Sequence, residues 1–283
     1  MPNRPAVRHL VERLSHRLVL RRRLPPPFER TRIYTSSEGG LKYIRRSLAD
    51  VDPALVSFVQ EQVRPGHIVW DVGANLGLFT FAAAEIAGPG GAVVAIEPDT
   101  WLVDLLRRSL RIPNDRAPVD VLPAAVGEST GVGRFCVATR NRATSHLHGF
   151  GTTQTGGVRS VETVPVFRLD DLLAHFPPPD VVKIDVEGAE VTVLTGAHRM
   201  LRQVRPVILC EVVTRNAAAV AKTLHNAGYQ VLDASLPPSG RRPLAGAPFS
   251  TLAVPADDGG AGSTERGREA EAPVAATSGG RSA

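Results

Sequence analysis

The chain is poor in lysine, cysteine and aromatic side chains, and it has no long apolar run. Only Lys42, Lys183 and Lys222 break a basic complement of 33 residues that is otherwise arginine, so a lysine here is not compositional filler. Two cysteines, Cys136 in RFCVATR and Cys210 in VILCEV, are too few and too dispersed for a disulfide framework or a cysteine-built metal site. Their strand-like apolar surroundings predict reduced core residues. No stretch approaches the roughly 18 apolar residues of a membrane span. The arginine-dense N-terminus also lacks the apolar core and small-residue cleavage site of a secretory signal. The expectation is a soluble, cytoplasmic protein.

Charge of one sign is concentrated in one place. Residues 1–32 hold nine arginines against Glu12 and Glu29, a local net of +7, so a chain of net +5 leaves −2 for everything after them. A body without basic excess argues against nucleic acid as a partner. Over residues 6–23, Val7, Leu10, Val11, Leu14 and Leu18 recur at helical spacing, with Arg8, Arg13 and Arg17 between them. That pattern predicts a basic amphipathic helix, either packed on the body or in contact with a membrane surface or a partner. Pro25, Pro26 and Pro27 cannot continue a helix and predict a stiff linker up to residue 32. Residues 255–283, rich in Gly, Ala, Ser and charge without periodicity, predict a disordered tail.

The remaining residues, 33–254, alternate short apolar strands with helical patterns. HIVWDVGA, AVVAIEP, VDVLPAAVG, DVVKIDVEG and RPVILCEVV read as strands, with helices over LGLFTFAAAEIA, Trp101–Arg111, AEVTVLTGAHRML and 216–227 between them. YQVLDA and FSTLAVP complete the series, and 131–167 is an irregular, strand-rich insertion. Such alternation predicts an α/β fold with a mostly parallel sheet covered by helices on both faces. Ligands in these sheets bind outside the carboxyl ends of the strands.

Two motifs fall at such ends. WDVGANLG, residues 70–77, turns the first strand into the first helix; Gly73 and Gly77 allow close backbone approach, and the helix start offers free N–H groups. Glu97 ends the second strand 24 residues after Gly73, where a carboxylate can accept both hydroxyls of a ribose. The loop is not G-x-G-x-x-G, because Asn75 and Leu78 stand where that pattern needs glycine, so a nicotinamide-dependent oxidoreductase is the weaker reading. The second motif, VVKIDVEGAEVTVL, sets Lys183, Asp185 and Glu187 at alternate positions of a strand. Burying an unpaired ion costs several kcal/mol at least, so these groups must meet partners. Alternation places them on one side, with Asp185 and Glu187 facing the crevice and Lys183 neutralising one of them. The plainer reading is a structural ion pair of Lys183 with Asp185. Glu190 falls in the next helix's first turn, a favourable place for an acid.

In this order, WDVGANLGLFT, AIEPD, AAVGE, LDDL, VVKIDVEGAEVTVLTGA and RPVILCEV resemble the motif series of the FkbM-type methyltransferase family, across about residues 35–235. The resemblance implies the Rossmann-like, seven-stranded class I methyltransferase fold and S-adenosyl-L-methionine as cofactor. It implies Asp71, Gly73, Ala74, Asn75, Gly77, Glu97, Pro98, Ala125 and Asp185 around that cofactor. The acceptor would be a hydroxyl of a sugar, glycan or polyketide-type small molecule. A hydroxyl nucleophile needs a proton acceptor; Glu187 is the first candidate, with Asp185, Glu211, His146 and His148 behind it. Asp185, Glu187 and Glu211 have the oxygen chemistry of a Mg²⁺ site, but no metal ligand is assigned. A non-catalytic methyltransferase-like domain that binds a partner through its basic segment is the third reading.

Overall fold

A computed structural model describes residues 18–40, 43, 51–139, 141–151 and 156–256. In chain order the elements are β1 (Val19–Arg23), β2 (Arg32–Ser36), α1 (Pro53–Gln62), β3 (Ile68–Val72), α2 (Leu78–Ala87), β4 (Ala92–Ile96), α3 (Thr100–Leu110) and β5 (Val119–Leu122). Then come β6 (Ala125–Val126), β7 (Gly131–Ala138), β8 (His146–Leu147), β9 (Val158–Phe167), a single turn α4 (Leu169–Leu172), β10 (Val181–Ile184) and α5 (Glu190–Thr195). β11 (Val207–Glu211), α6 (Ala217–Asn226), β12 (Tyr229–Asp233) and β13 (Ser250–Pro255) end the domain.

The main sheet has seven strands in the order β12-β13-β11-β10-β3-β4-β5, with only β13 antiparallel to its neighbours. All five residues of β3 are buried, as expected of a central strand covered on both faces. Alternation then divides the core. Val69, Val93, Val181 and Leu209 pack toward α1, α2 and α3, whereas Trp70, Val94, Val182 and Ile208 pack toward α5 and α6. Helix starts follow their sequence signals. Asp52 accepts from the Leu55 amide ahead of Pro53, and Asp99 accepts from the Trp101 amide.

Residues 125–167 build a second, four-stranded sheet, β6-β9-β7-β8, whose β7–β9 hairpin covers its own small core of Phe135, Val137 and Val164. This is the irregular insertion of the sequence, and it stands over the carboxyl ends of β3 and β4. The third strand expected over VDVLPAAVG divides at Pro123: β5 stays in the main sheet, and Ala125–Val126 joins the small one beside β9. Proline lacks the N–H that a continuous ladder needs.

The N-terminal expectation needs correction. Residues 1–17 of the expected helix lie outside the described residues. Val19–Arg23 is a strand, paired antiparallel with Arg32–Ser36. The prolines form its turn, with the Leu24 amide donating to Thr31 O and both Leu24 and Phe28 buried. The hairpin packs on the body: the Thr31 amide donates to Glu85 and the Tyr34 amide to Ser109 Oγ. Most of the tail expected over 255–283 lies outside the described residues. Among those described, no helix is long and apolar enough to cross a membrane.

Candidate active site

The carboxyl ends of β3 and β10 lie side by side, and their register sets Lys183 beside Asp71. Here the backbones come so close that a Cβ on Gly73 would stand 1.8 Å from the Asp185 carbonyl oxygen, and Gly73 has φ +80°. Only glycine fits both conditions. Lys183, 4% exposed, donates to the Gly73 carbonyl at 2.7 Å, with its Nζ 3.2 Å from Asp71 Oδ1 and 3.5 Å from Asp185 Oδ2. Burial alone would lower the ammonium, but the carboxylates of Asp71, Asp185 and Glu211 overcome it and hold the group above its ordinary value. Asp71 is fully buried, and its second oxygen accepts from the Thr80 hydroxyl at 2.5 Å. Asp71 therefore faces Lys183 and the base of α2, not the crevice.

Above this floor opens a cleft of about 590 Å³. Gly73, Asn75, Glu97, Pro98, Ala125, Asp185, Glu187 and His146 line it, with Leu102, Val126 and Phe135 as apolar wall. Eight residues singled out in the sequence thus meet at one place. Asp71, Ala74 and Gly77 do not line it; Ala74 donates to the Ile96 carbonyl, and Gly77 caps α2 with a left-handed φ of +85°. Glu97 accepts from the amides of Asn75 (2.8 Å) and Asp99 (2.9 Å), yet burial pushes its carboxyl up to about 8.

The geometry at Glu187 differs from the expectation. β10 ends at Ile184, so Asp185 and Glu187 are not continued by strand alternation. Glu187 instead has φ +53°, a left-handed conformation rare for a residue with a side chain and concentrated at functional sites. Burial, then the charges of Asp185, Glu211 and Glu190, push its carboxyl up to about 8. The turn is held from below. Glu190, fully buried, accepts from the Gly188 amide, while Asn216 donates to both the Gly188 carbonyl and Glu190. Arg215 donates to the Gly151 carbonyl on the facing segment. His146 rests beneath Gly151, where an added Cβ would meet the imidazole at 2.5 Å, and its Nδ1 lies 3.1 Å from Thr144 O. His148 is exposed and lies outside this cleft. Among the described residues no group of three His, Cys, Asp or Glu side chains is arranged to hold a metal ion.

Sequence reasoning missed the rim. Arg142 lines the cleft and makes bonds of 2.7 and 2.6 Å to the two oxygens of fully buried Asp99, and 2.8 Å to Glu38. Arg159 reaches the same Glu38 oxygen at 2.8 Å. For Asp99 a signal existed, since an acid directly ahead of a helical pattern marks a cap. Nothing local marks Glu38 or Arg142, which lie 104 residues apart in the chain.

A central glycine turn, an acid ending the next strand and the strand order with one antiparallel member define the Rossmann-like class I methyltransferase fold. A family model described as the methyltransferase FkbM domain matches residues 71–231, and the chain belongs to that family. It is 30% identical over 155 residues to hexuronic acid methyltransferase AglP of Haloferax volcanii; the match covers 55% of this chain and 60% of that protein. Among solved structures, methyltransferase FkbM of Methylobacillus flagellatus KT superimposes with a TM-score of 0.41 at 19% identity, covering 70% of this chain and 50% of that one. The Thermus thermophilus 16S rRNA N2 G1207 methyltransferase gives a TM-score of 0.47 at 12% identity, covering 84% and 50%.

Proposed function

We propose that the chain is an S-adenosyl-L-methionine-dependent methyltransferase acting on a hydroxyl of a sugar, glycan or polyketide-type small molecule, with Glu187 as proton acceptor. One observation carries this reading: Glu97 and Glu187 follow the two strands that flank β3, and both line the cleft above Gly73. Carboxylates over a glycine turn fit a cationic ligand rich in hydroxyls. Gly73, Asn75, Glu97, Pro98, Ala125 and Asp185 are the residues proposed to hold the cofactor, with Asp71, Ala74 and Gly77 shaping the turn from behind. When bound, the cofactor supplies a methyl group made electrophilic by a sulfonium. The rest falls to the chain. The walls align the acceptor, which by itself accounts for a large share of barrier reduction. Glu187 takes the hydroxyl proton, and a carboxyl near 8 is well matched to that task at neutral pH. Kinship with a hexuronic acid methyltransferase supports a sugar acceptor.

Calorimetry with S-adenosylhomocysteine and with NAD tests the class; binding of NAD alone would favour an oxidoreductase, and binding of neither a non-catalytic domain. Single-turnover methyl transfer by Glu187→Gln then tests the role. The rate should fall by about 10²–10⁴-fold with S-adenosylhomocysteine affinity nearly unchanged. A rate within a few-fold of the parent would pass the role to His146 or Asp185.

A further inference from the structure

We propose that the outer face of the β1–β2 hairpin, with the adjoining end of α3, docks onto a membrane surface rich in anionic lipid headgroups. In β2, Ile33 and Thr35 point inward and are fully buried, so Arg32 and Tyr34 point outward. The register sets Arg21 opposite Tyr34 and Arg23 opposite Arg32. Residues directly opposite share a face, so Arg21, Arg23 and Arg32 stand together on it. The guanidinium of Arg108 joins them, 4.5 Å over the Tyr34 ring. Arg107 and Arg111 are exposed at the same end of α3, with Asp104 one turn away as the acid of that exposed side.

Directly opposed like charges destabilise an antiparallel pair, and Arg23 opposite Arg32 is such a pair. No ion pair of the described residues relieves it, whereas the adjacent Arg30 reaches Glu85 at 3.0 Å. An external anion would supply the missing countercharge. Two observations favour lipid over nucleic acid. Leu18, at the start of the hairpin, is 46% exposed, and the sequence before it sets Val7, Leu10, Val11 and Leu14 among Arg8, Arg13 and Arg17. Apolar residues interleaved with arginine suit the boundary of headgroup and acyl chain. The aromatic ring of this face, Tyr34, already has Arg108 over one of its faces, where a nucleic-acid base would otherwise stack.

The test uses the full chain, co-sedimented with vesicles of phosphatidylcholine alone or of an equal mixture of phosphatidylcholine and phosphatidylglycerol. Partition onto the mixed vesicles is expected, weakening as salt screens the surface. Replacing Arg21, Arg23, Arg32 and Arg108 together with glutamine should lower it by about 10²-fold or more, since each basic residue near such a surface contributes about 5-fold. Should that variant unfold in urea earlier than the parent, Arg21→Gln with Arg23→Gln, both on the exposed side of β1, decides instead, with a loss of about 10-fold or more. Equal partition onto both vesicles, undiminished binding by the folded variant, or tighter binding of a single-stranded RNA than of mixed vesicles would each overturn the proposal.

Discussion

Two buried charge clusters frame the cleft, and they are built in opposite ways. Beneath it, Lys183 serves Asp71, Asp185 and the Gly73 carbonyl, one cation among acids that neighbouring strands deliver in register. At the rim, Arg142 joins Glu38 and Asp99, and Arg159 adds a second cation to Glu38. The lower cluster is part of the sheet, so its geometry follows from strand pairing. The rim cluster ties together the segments around Glu38, Asp99 and Arg142, which lie far apart in the chain, and Arg142 also sits 5.3 Å over the Trp101 ring. Removing a member of the first should therefore damage the fold, and removing a member of the second should damage the shape of the cleft.

Breaking the lower cluster should have the largest effect. Lys183→Met leaves fully buried Asp71 without its cation, and stability measured by urea unfolding should fall by about 3–5 kcal/mol. Arg142→Ala is expected to cost less, about 2 kcal/mol, because Asp99 keeps the Trp101 amide and Glu38 keeps Arg159. Calorimetry should register weaker S-adenosylhomocysteine binding in that variant, since Asp99 also donates its amide to Glu97; unchanged affinity would separate the rim from the cofactor side.

Titration sharpens the contrast. Lys183 stays charged throughout, whereas the carboxyls of Glu97 and Glu187, ordinarily near 4.5, are raised to about 8. Each binds its proton more tightly folded than unfolded, so their contribution to stability is fully present below about pH 4.5 and is lost as pH rises through about 8. Function should run the other way. S-adenosylhomocysteine affinity is expected to rise by about tenfold as Glu97 ionises and becomes the better acceptor for ribose hydroxyls, a change that Glu97→Gln should abolish. The smallest effect belongs to Arg159→Ala. Its side chain is 32% exposed, and its bond to Glu38 should be worth about 0.5 kcal/mol.

Much of this was written into local pattern. Apolar alternation identified the parallel sheet, glycine and acid spacing located the turn at Gly73 and the carboxylate at Glu97, and the scarcity of lysine singled out Lys183. These features are legible because strand faces and helix caps depend on residues a few positions apart. Tertiary contacts decided what those residues meet. Asp71, expected in the cleft, turns to Lys183 because the register of β3 with β10 places a buried cation at its side. Glu187, expected by strand alternation, points from a left-handed turn that Glu190 and Asn216 hold in place. Arg21, Arg22 and Arg23, at the end of the segment expected as a helix, lie in a strand, because β2 offers a partner edge and Leu24 and Phe28 a buried seat. Glu38 and Arg142 carried no local sign at all, since an ion pair between distant segments depends on where the fold brings their charges, and sequence periodicity reports only which face a residue is on.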